Sequence, residues 1–232
     1  MTDYPQTAVI AVVDMEDSSS RTDMGKREAR REMYDWLERT LGPVWSACDH
    51  EDRGDGVLML WPQSMDGPVP PKVVTAALLG LPATASGTPE RPRLRVALHI
   101  GPVFRDERGF VGRSLDRTFR LNEADVLRTA LARARGPVAY LLSDVLHEAV
   151  IEYGYQEFDR SAFHPVTVVT RESTSSAWLH VPGEDGVAAR LTARTPPGAE
   201  RPAAEPPSTS SAYVRVDGDS NEINTAGGDM YR

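Results

Sequence analysis

Several things are scarce in this chain, and each shortage removes a class of protein. One cysteine, Cys48, among 232 residues excludes an intrachain disulfide framework and suits a reducing cytosol. No apolar run approaches the roughly 20 residues of a membrane-spanning helix. Residues 1–6 are polar and lack the charged-then-apolar pattern of a secretory signal. Positive charge is short too. Lys and Arg number 26 against 34 Asp and Glu, a formal net charge of −8, which argues against a basic surface that holds nucleic acid. Ser18-Ser19-Ser20 lacks the glycines of a nucleophile elbow. No long internal repeat is present. The expectation is a soluble cytoplasmic protein with neither a nucleic acid nor a membrane as partner. Hydrophobic residues make up 40%, enough for the core of one ordinary domain.

The apolar runs fall into an order. Residues 7–14 are β-branched and continuous, as in a central strand. Thr22 or Asp23 can cap a helix to about Leu41, with Ala29, Met33, Leu37 and Leu41 on one face. Its other face carries Lys26, Arg27, Arg30, Arg31 and Arg39 and reads as solvated. Residues 44–49 and 56–61 read as a hairpin turning through 50–55. A helix at 71–81 begins at a proline. A strand follows at 94–103, then a helical region from 112 that breaks and continues to 135. Strand 137–142, a short helix at 144–153, and a hairpin of 164–170 with 177–181 complete the series. The fold class is α+β: a ferredoxin-like βαββαβ sheet with helices on one face and C-terminal strand additions. Residues 1–182 form the domain. Residues 183–211 are a Pro/Ala-rich linker. Residues 212–232 are a β-prone interaction tail or a disordered end. Gly227-Gly228-Asp229-Met230, inside that tail, has no following strand and is set aside as a site.

Two aspartates carry the chemistry. Asp14 closes the first strand, and Asp55 opens the run Gly56-Val57-Leu58-Met59-Leu60-Trp61. In a split β-α-β sheet the third strand runs antiparallel to the first, so the end of one lies beside the start of the other. Both carboxylates then reach one sheet corner, where they can share Mg²⁺ or Mn²⁺ with little reorganisation. Each also has an ordinary reading, Asp14 as a turn cap and Asp55 as a hairpin-turn residue. His99, mid-strand among apolar neighbours, reads as a satisfied core histidine.

Four segments occur in a telling order: Val12-Val13-Asp14-Met15-Glu16-Asp17-Ser18-Ser19, Arg53-Gly54-Asp55-Gly56, Leu94-Arg-Val-Ala-Leu-His-Ile-Gly-Pro-Val103 and Gly112-Arg-Ser-Leu-Asp-Arg-Thr-Phe-Arg-Leu121. Over about residues 7–180 the chain resembles the catalytic core of class III nucleotidyl cyclases, the adenylate and guanylate cyclases, as a divergent bacterial-type member. The resemblance implies that Asp14 and Asp55 bind two metal ions and that amides from Met15 onward cradle phosphate. It implies a transition-state role for Arg120. The family's asparagine four residues earlier is here Asp116. The two base-selecting positions fall on Glu51 and Gly109. Glu51 can accept from guanine N1–H and the 2-amino group, whereas Gly109 offers no side chain, so the base stays open. Glu51 also reads as a solvated turn acid, and Arg120 as a helix-surface partner of Asp116 at i,i+4. A homodimer is implied, with each site built from both subunits. The function so implied is metal-dependent conversion of a nucleoside triphosphate to a 3′,5′-cyclic nucleotide and pyrophosphate in signalling. The alternative is a catalytically degenerate nucleotide-binding, regulatory or assembly module that presents its tail to a protein partner. A third option is a structural dimerisation domain.

Overall fold

The computed structural model describes residues 4–63, 68–85, 91–153, 158–169 and 174–193. Residues 1–198 form one compact unit and 199–232 a second. All of the second unit lies outside the described residues, as do the tail and most of the expected linker.

The first strand, β1 (Gln6–Met15), is the pivot. Helix α1 (Asp23–Leu41) follows, capped by Thr22, whose side chain accepts from the Gly25 N–H at 3.2 Å. The short α2 (Pro43–Ser46) leads to β2 (Asp49–Asp52) and β3 (Gly56–Pro62). Then come α3 (Pro71–Leu79), β4 (Leu94–Asp106) and β5 (Gly109–Val111). Helices α4 (Arg113–Asn122) and α5 (Asp125–Arg133) precede β6 (Val138–Ser143). A helical turn, α6 (Asp144–Leu146), passes into a π-helical turn, His147–Glu152. Strands β7 (His164–Val169) and β8 (Thr174–His180) and helix α7 (Asp185–Thr192) end the described fold.

The strands form one eight-stranded sheet, ordered β2-β3-β1-β4-β6-β8-β7, with β5 paired to β4. Only the β4–β6 pair is parallel among those described. The order β2-β3-β1-β4 is that of the expected βαββαβ core, and its two crossover helices, α1 and α3, share one face. There Val9, Ala11 and Val13 pack with Met33, Trp36, Val74 and Leu78. The alternate residues Ala8, Ile10 and Val12 turn to the second face and meet Leu115 of α4. Farther along that face, Leu127 and Leu131 of α5 cover Leu141 and Leu179. Burial on both sides explains why β1 reads as an unbroken apolar run rather than an alternating one.

Two expectations need correction. Of residues 44–49, only Asp49 is in a strand. Gly42 turns the chain at φ 51°, and Pro43 opens the short α2. The partner of β3 is instead the polar Asp-His-Glu-Asp of β2, with Asp49 opposite Leu60 and Asp52 opposite Val57. The expected turn is largely strand, and the true turn is Arg53-Gly54-Asp55. An edge strand with one exposed face needs few apolar residues, which hid it. The fold also continues past residue 182. Within the segment read as linker, α7 buries Val187 and Ala188 in the α5–β7–β8 cluster, and Glu184 Oε1 accepts from the Arg135 and Gly136 amides at 2.7 and 2.8 Å.

Candidate active site at the end of strand β1

The antiparallel register sets Asp14 opposite Gly56 on β3 and opposite Arg95 on β4. Asp55 is therefore the next residue beyond the pair. The strands close tightly here, since a Cβ on Gly56 would stand 2.3 Å from the Val13 carbonyl oxygen. Only glycine lets β3 come this near, and that approach brings the two acids into one cavity of about 320 Å³. Arg53, Arg95, Asn122, Glu123 and Arg128 also line it.

The electrostatics are mixed. Burial raises the Asp14 pKa above the usual carboxylate value, the Arg95 guanidinium opposes that, and the nearby Asp55 charge adds to the rise. Arg95 donates to Asp14 Oδ2, and both side chains are mostly buried. The second acid is held from another direction, as Ser18 Oγ donates to Asp55 Oδ2 at 2.6 Å. Asn122 Nδ2, at the end of α4, donates to the Val12 and Arg95 carbonyls at 3.1 and 3.2 Å. It fixes β1, β4 and α4 beside the acids. Arg53 lies over the Phe119 ring, 5.0 Å from its centre.

Burial and the nearby Asp55 charge both raise Asp14, and a divalent cation relieves a carboxylate placed in this way. Among the described residues no group of three or more His, Cys, Asp or Glu side chains is placed to hold one metal ion. The protein thus offers two acids at this corner. That suits Mg²⁺, which commonly takes one or two carboxylates and completes its shell with water and substrate phosphates.

The other expected site residues are spread out. The Met15 side chain is in the core, and its N–H donates to the Asp55 carbonyl at 3.0 Å; the Glu16 N–H donates to the Arg93 carbonyl at 2.8 Å. Neither of these two amides is open to a phosphate. Glu51 lies on β2 with its carboxylate against Gly109, where an added Cβ would stand 2.5 Å from Oε1. The two expected base-selecting positions are therefore neighbours. Asp116 is exposed in the first turn of α4. Arg120 lines a separate groove of about 380 Å³ with Glu123, Asp125 and Val168. Within one chain, Arg120 does not share the cavity of Asp14 and Asp55.

This arrangement can be compared with known folds. No protein-family model matches the chain, and no curated protein matches it. Solved structures do. The guanylyl cyclase Cya2 superposes with a TM-score of 0.55 at 13% identity, covering 78% of this chain and 94% of that one. An adenylate/guanylate cyclase/hydrolase from Silicibacter pomeroyi gives 0.52 at 16% identity, covering 77% and 98%. The guanylate cyclase domain of RhGC from Catenaria anguillulae, in complex with GTP, gives 0.51 at 13% identity, covering 78% and 98%. The fold is that of a nucleotidyl cyclase catalytic domain. At these identities the likeness is one of fold.

In this cyclase fold the residues that sequence reasoning missed are Arg95, Ser18, Asn122 and Arg128. Arg95 stands between Leu94 and the apolar run Val96-Ala97-Leu98, and nothing in that position alone assigns it a role. Asn122 carried no signal either, because its role comes from where α4 ends. His99 is as expected. Its Nδ1 bonds Ser143 Oγ at 2.8 Å, and burial, with Arg117 nearby, lowers its pKa to about 4. The basic face of α1 is exposed, with Arg30 and Tyr34 both bonded to Asp52. Burial lifts the Cys48 thiol to about 12, far from a nucleophile's value. Among the described residues no helix is long and apolar enough to cross a membrane.

Proposed function

We propose that the chain is a nucleotidyl cyclase of divergent bacterial type. It acts as a cytoplasmic homodimer and converts a nucleoside triphosphate to its 3′,5′-cyclic monophosphate and pyrophosphate. The observation that supports this most is the meeting of Asp14 and Asp55 in one cavity at the strand ends of a cyclase fold. Asp14 and Asp55 would hold Mg²⁺ or Mn²⁺, and the ion would acidify the ribose 3′-hydroxyl and neutralise phosphate charge. The 3′-oxygen loses its proton to solvent and attacks the α-phosphorus in line. The bond from that phosphorus to the bridging oxygen breaks, and pyrophosphate leaves. Arg53 and Arg128 border the same cavity and can pair with phosphate oxygens. Arg120, in its separate groove, would serve the site across the dimer by stabilising charge in the transition state. Glu51 would face the base, and Gly109 beside it leaves room for its carboxylate. Asp116 would stand beside Arg120 where the family's asparagine lies. The segment from residue 212 onward would present a β-prone edge to a protein partner.

The test is turnover by the full chain with ATP, GTP, CTP and UTP in turn, each with Mn²⁺, reading cyclic nucleotide and pyrophosphate. One productive nucleotide supports the enzyme. Metal-dependent binding without turnover assigns a regulatory or assembly module instead. No binding of any nucleotide removes both readings.

A further inference from the structure

A groove of about 610 Å³ lies between helix α1 and strand β2, lined by Arg27, Arg30, Arg31, Tyr34, His50 and Asp52. It is on the α1 side of the sheet, whereas the cavity of Asp14 and Asp55 is walled by Phe119, Asn122 and Glu123 on the α4 side. Alternation along β2 separates its polar residues. Asp49 accepts from Arg105 Nη1 at 3.1 Å and Glu51 lies against Gly109, while His50 and Asp52 turn to α1. Asp52 is the one acid lining the groove, and its oxygens are spent. Oδ2 accepts from Arg30 Nε at 2.8 Å and from the Tyr34 hydroxyl at 2.7 Å, and Oδ1 accepts from the Gly54 N–H at 2.8 Å. The aromatic rings beside it are packed together: His50 and Trp45 have centres 4.7 Å apart, and Trp45 meets Tyr34 edge-on at 6.1 Å. Arg27 and Arg31 stay exposed and make no ion pair among the described residues. They stand one turn apart, where like charges repel, in a chain of net charge −8. Unpaired guanidinium groups on a fixed concave wall are a place where an anion relieves repulsion.

We propose that this groove is a second ligand site, which takes the phosphate group of a small phosphorylated molecule. Arg27 and Arg31, with side chains rooted about 6 Å apart on the helix, close on the oxygens of one phosphate, whose geometry their planar forks match. His50 adds a ring nitrogen at the rim. Arg30, held by Asp52, is wall rather than clamp. The volume exceeds what one phosphate fills and falls in the range of small-molecule sites, so the rest of the ligand has room beside the Tyr34 and His50 rings. An acidic protein segment fits less well. Asp23, Glu28, Asp35 and Glu38 are exposed on the same helix and would repel a chain of carboxylates laid along it, which confines the favourable contact to one compact anion. The site uses neither metal acid, so it stands independently of turnover in the other cavity.

The experiment is calorimetric titration of the full chain with AMP and with inorganic pyrophosphate, each in EDTA so that no metal bridges the anion to the acids. Three proteins are compared: the unmodified chain, the pair Arg27→Gln with Arg31→Gln, and the pair Arg53→Gln with Arg128→Gln, which disarms the other cavity. Arg27 and Arg31 are exposed, so their variant should keep its melting temperature. It should bind the probes about tenfold or more weaker, the scale of losing a charge-assisted hydrogen bond, while the Arg53 and Arg128 variant retains the binding that the first one loses. Tighter AMP identifies a phosphate ester as the source and tighter pyrophosphate a free polyphosphate; either supports the site. Wild-type affinity in the Arg27 and Arg31 variant, with the loss confined to Arg53 and Arg128, overturns the proposal and leaves the cyclase reading standing. Failure of the unmodified chain to bind either probe also overturns it. A glutamate-rich peptide that binds more tightly than both probes, and is lost with Arg27 and Arg31, overturns the small ligand and assigns the groove to a protein partner.

Discussion

Gly56→Ala is a sharp test of how the site is held together. An alanine Cβ there would lie 2.3 Å from the Val13 carbonyl oxygen, 3.2 Å from Asp14 Cα and 3.3 Å from Val13 C. An ordinary carbon–oxygen approach is about 3.3 Å or more, so the overlap is roughly 1 Å. All three obstructing atoms are backbone. They belong to β1, which is hydrogen-bonded to β3 on one side and β4 on the other, so β1 cannot yield alone. Overpacking of this kind costs about 1–3 kcal/mol. Separating the strands also strains the bond from the Met15 N–H to the Asp55 carbonyl, worth about 1 kcal/mol net. Against this, replacing glycine stiffens the unfolded chain by up to about 1 kcal/mol. The balance is a loss on the order of 2 kcal/mol, or roughly 4–8 °C in melting temperature for a unit of this size.

Urea denaturation of the full chain measures this, with Gly54→Ala and Gly54→Asn as controls. Gly54 has φ 89°, and nothing lies within 4 Å of an added Cβ. Its substitution therefore costs only backbone strain, about 1–2 kcal/mol for alanine and less for asparagine, which tolerates positive φ. Asparagine at 56 gains no such relief, because its Cβ meets the same carbonyl. An unchanged or raised midpoint for Gly56→Ala, or a rescue by asparagine at 56, would refute the reasoning.

Three further outcomes are expected. Arg120→Ala should cut turnover by about 10²–10³ while changing substrate binding less; mixing it with Asp55→Asn should restore part of the activity through one intact shared site, and confirmed heterodimers with no recovery would refute the sharing. Stability should fall on acidification: the pKa of His99 is lowered to about 4, so its unfolded form binds a proton first, and stability present above about pH 6.5 is lost as pH falls towards 4, by on the order of 3 kcal/mol. His147 and His180 are lowered in the same direction, mainly by burial, so a denaturation midpoint flat from pH 7 to pH 5 would contradict this. Ending the chain after residue 193 should leave its melting temperature unchanged and abolish recruitment of a partner in pull-downs, whereas ending it after 182 also removes Val187, Ala188 and the Glu184 bonds and should cost on the order of 3–5 kcal/mol.

The sheet order was legible because β1, β3 and β6 are buried and read as apolar runs, and β4 carries a buried apolar stretch at residues 96–98. Periodicity found α1 for the opposite reason, since one stripe of it is core and the rest is solvent. What sequence missed was polar or late. β2 is four polar residues on an edge, and its strand state depends on β3 rather than on its own composition. Helix α7 is short, and its proline-rich C-terminal flank disguised it. Both contribute through neighbours distant in the chain, which no local window reports.

The corner itself divides along the same line. Asp14 and Asp55 could be placed because each stands at the end of a strong strand, and an antiparallel pair must bring those ends together. Arg95 could not be assigned from its own position, since a charge at a strand start is ordinarily a solvated end. It gains its role from register: the same pairing that sets Gly56 opposite Asp14 on one side sets Arg95 opposite it on the other. A shift of β4 by one residue would place Leu94 or Val96 there and leave Asp14 without its counterion. The burial of β4 on both faces opposes such a shift, because it would turn every buried side chain to the wrong face. The packing that makes the strand readable therefore also fixes the chemistry of Asp14. Substitutions in the core of β4, far from the cavity, should perturb metal and phosphate binding only where they disturb this register.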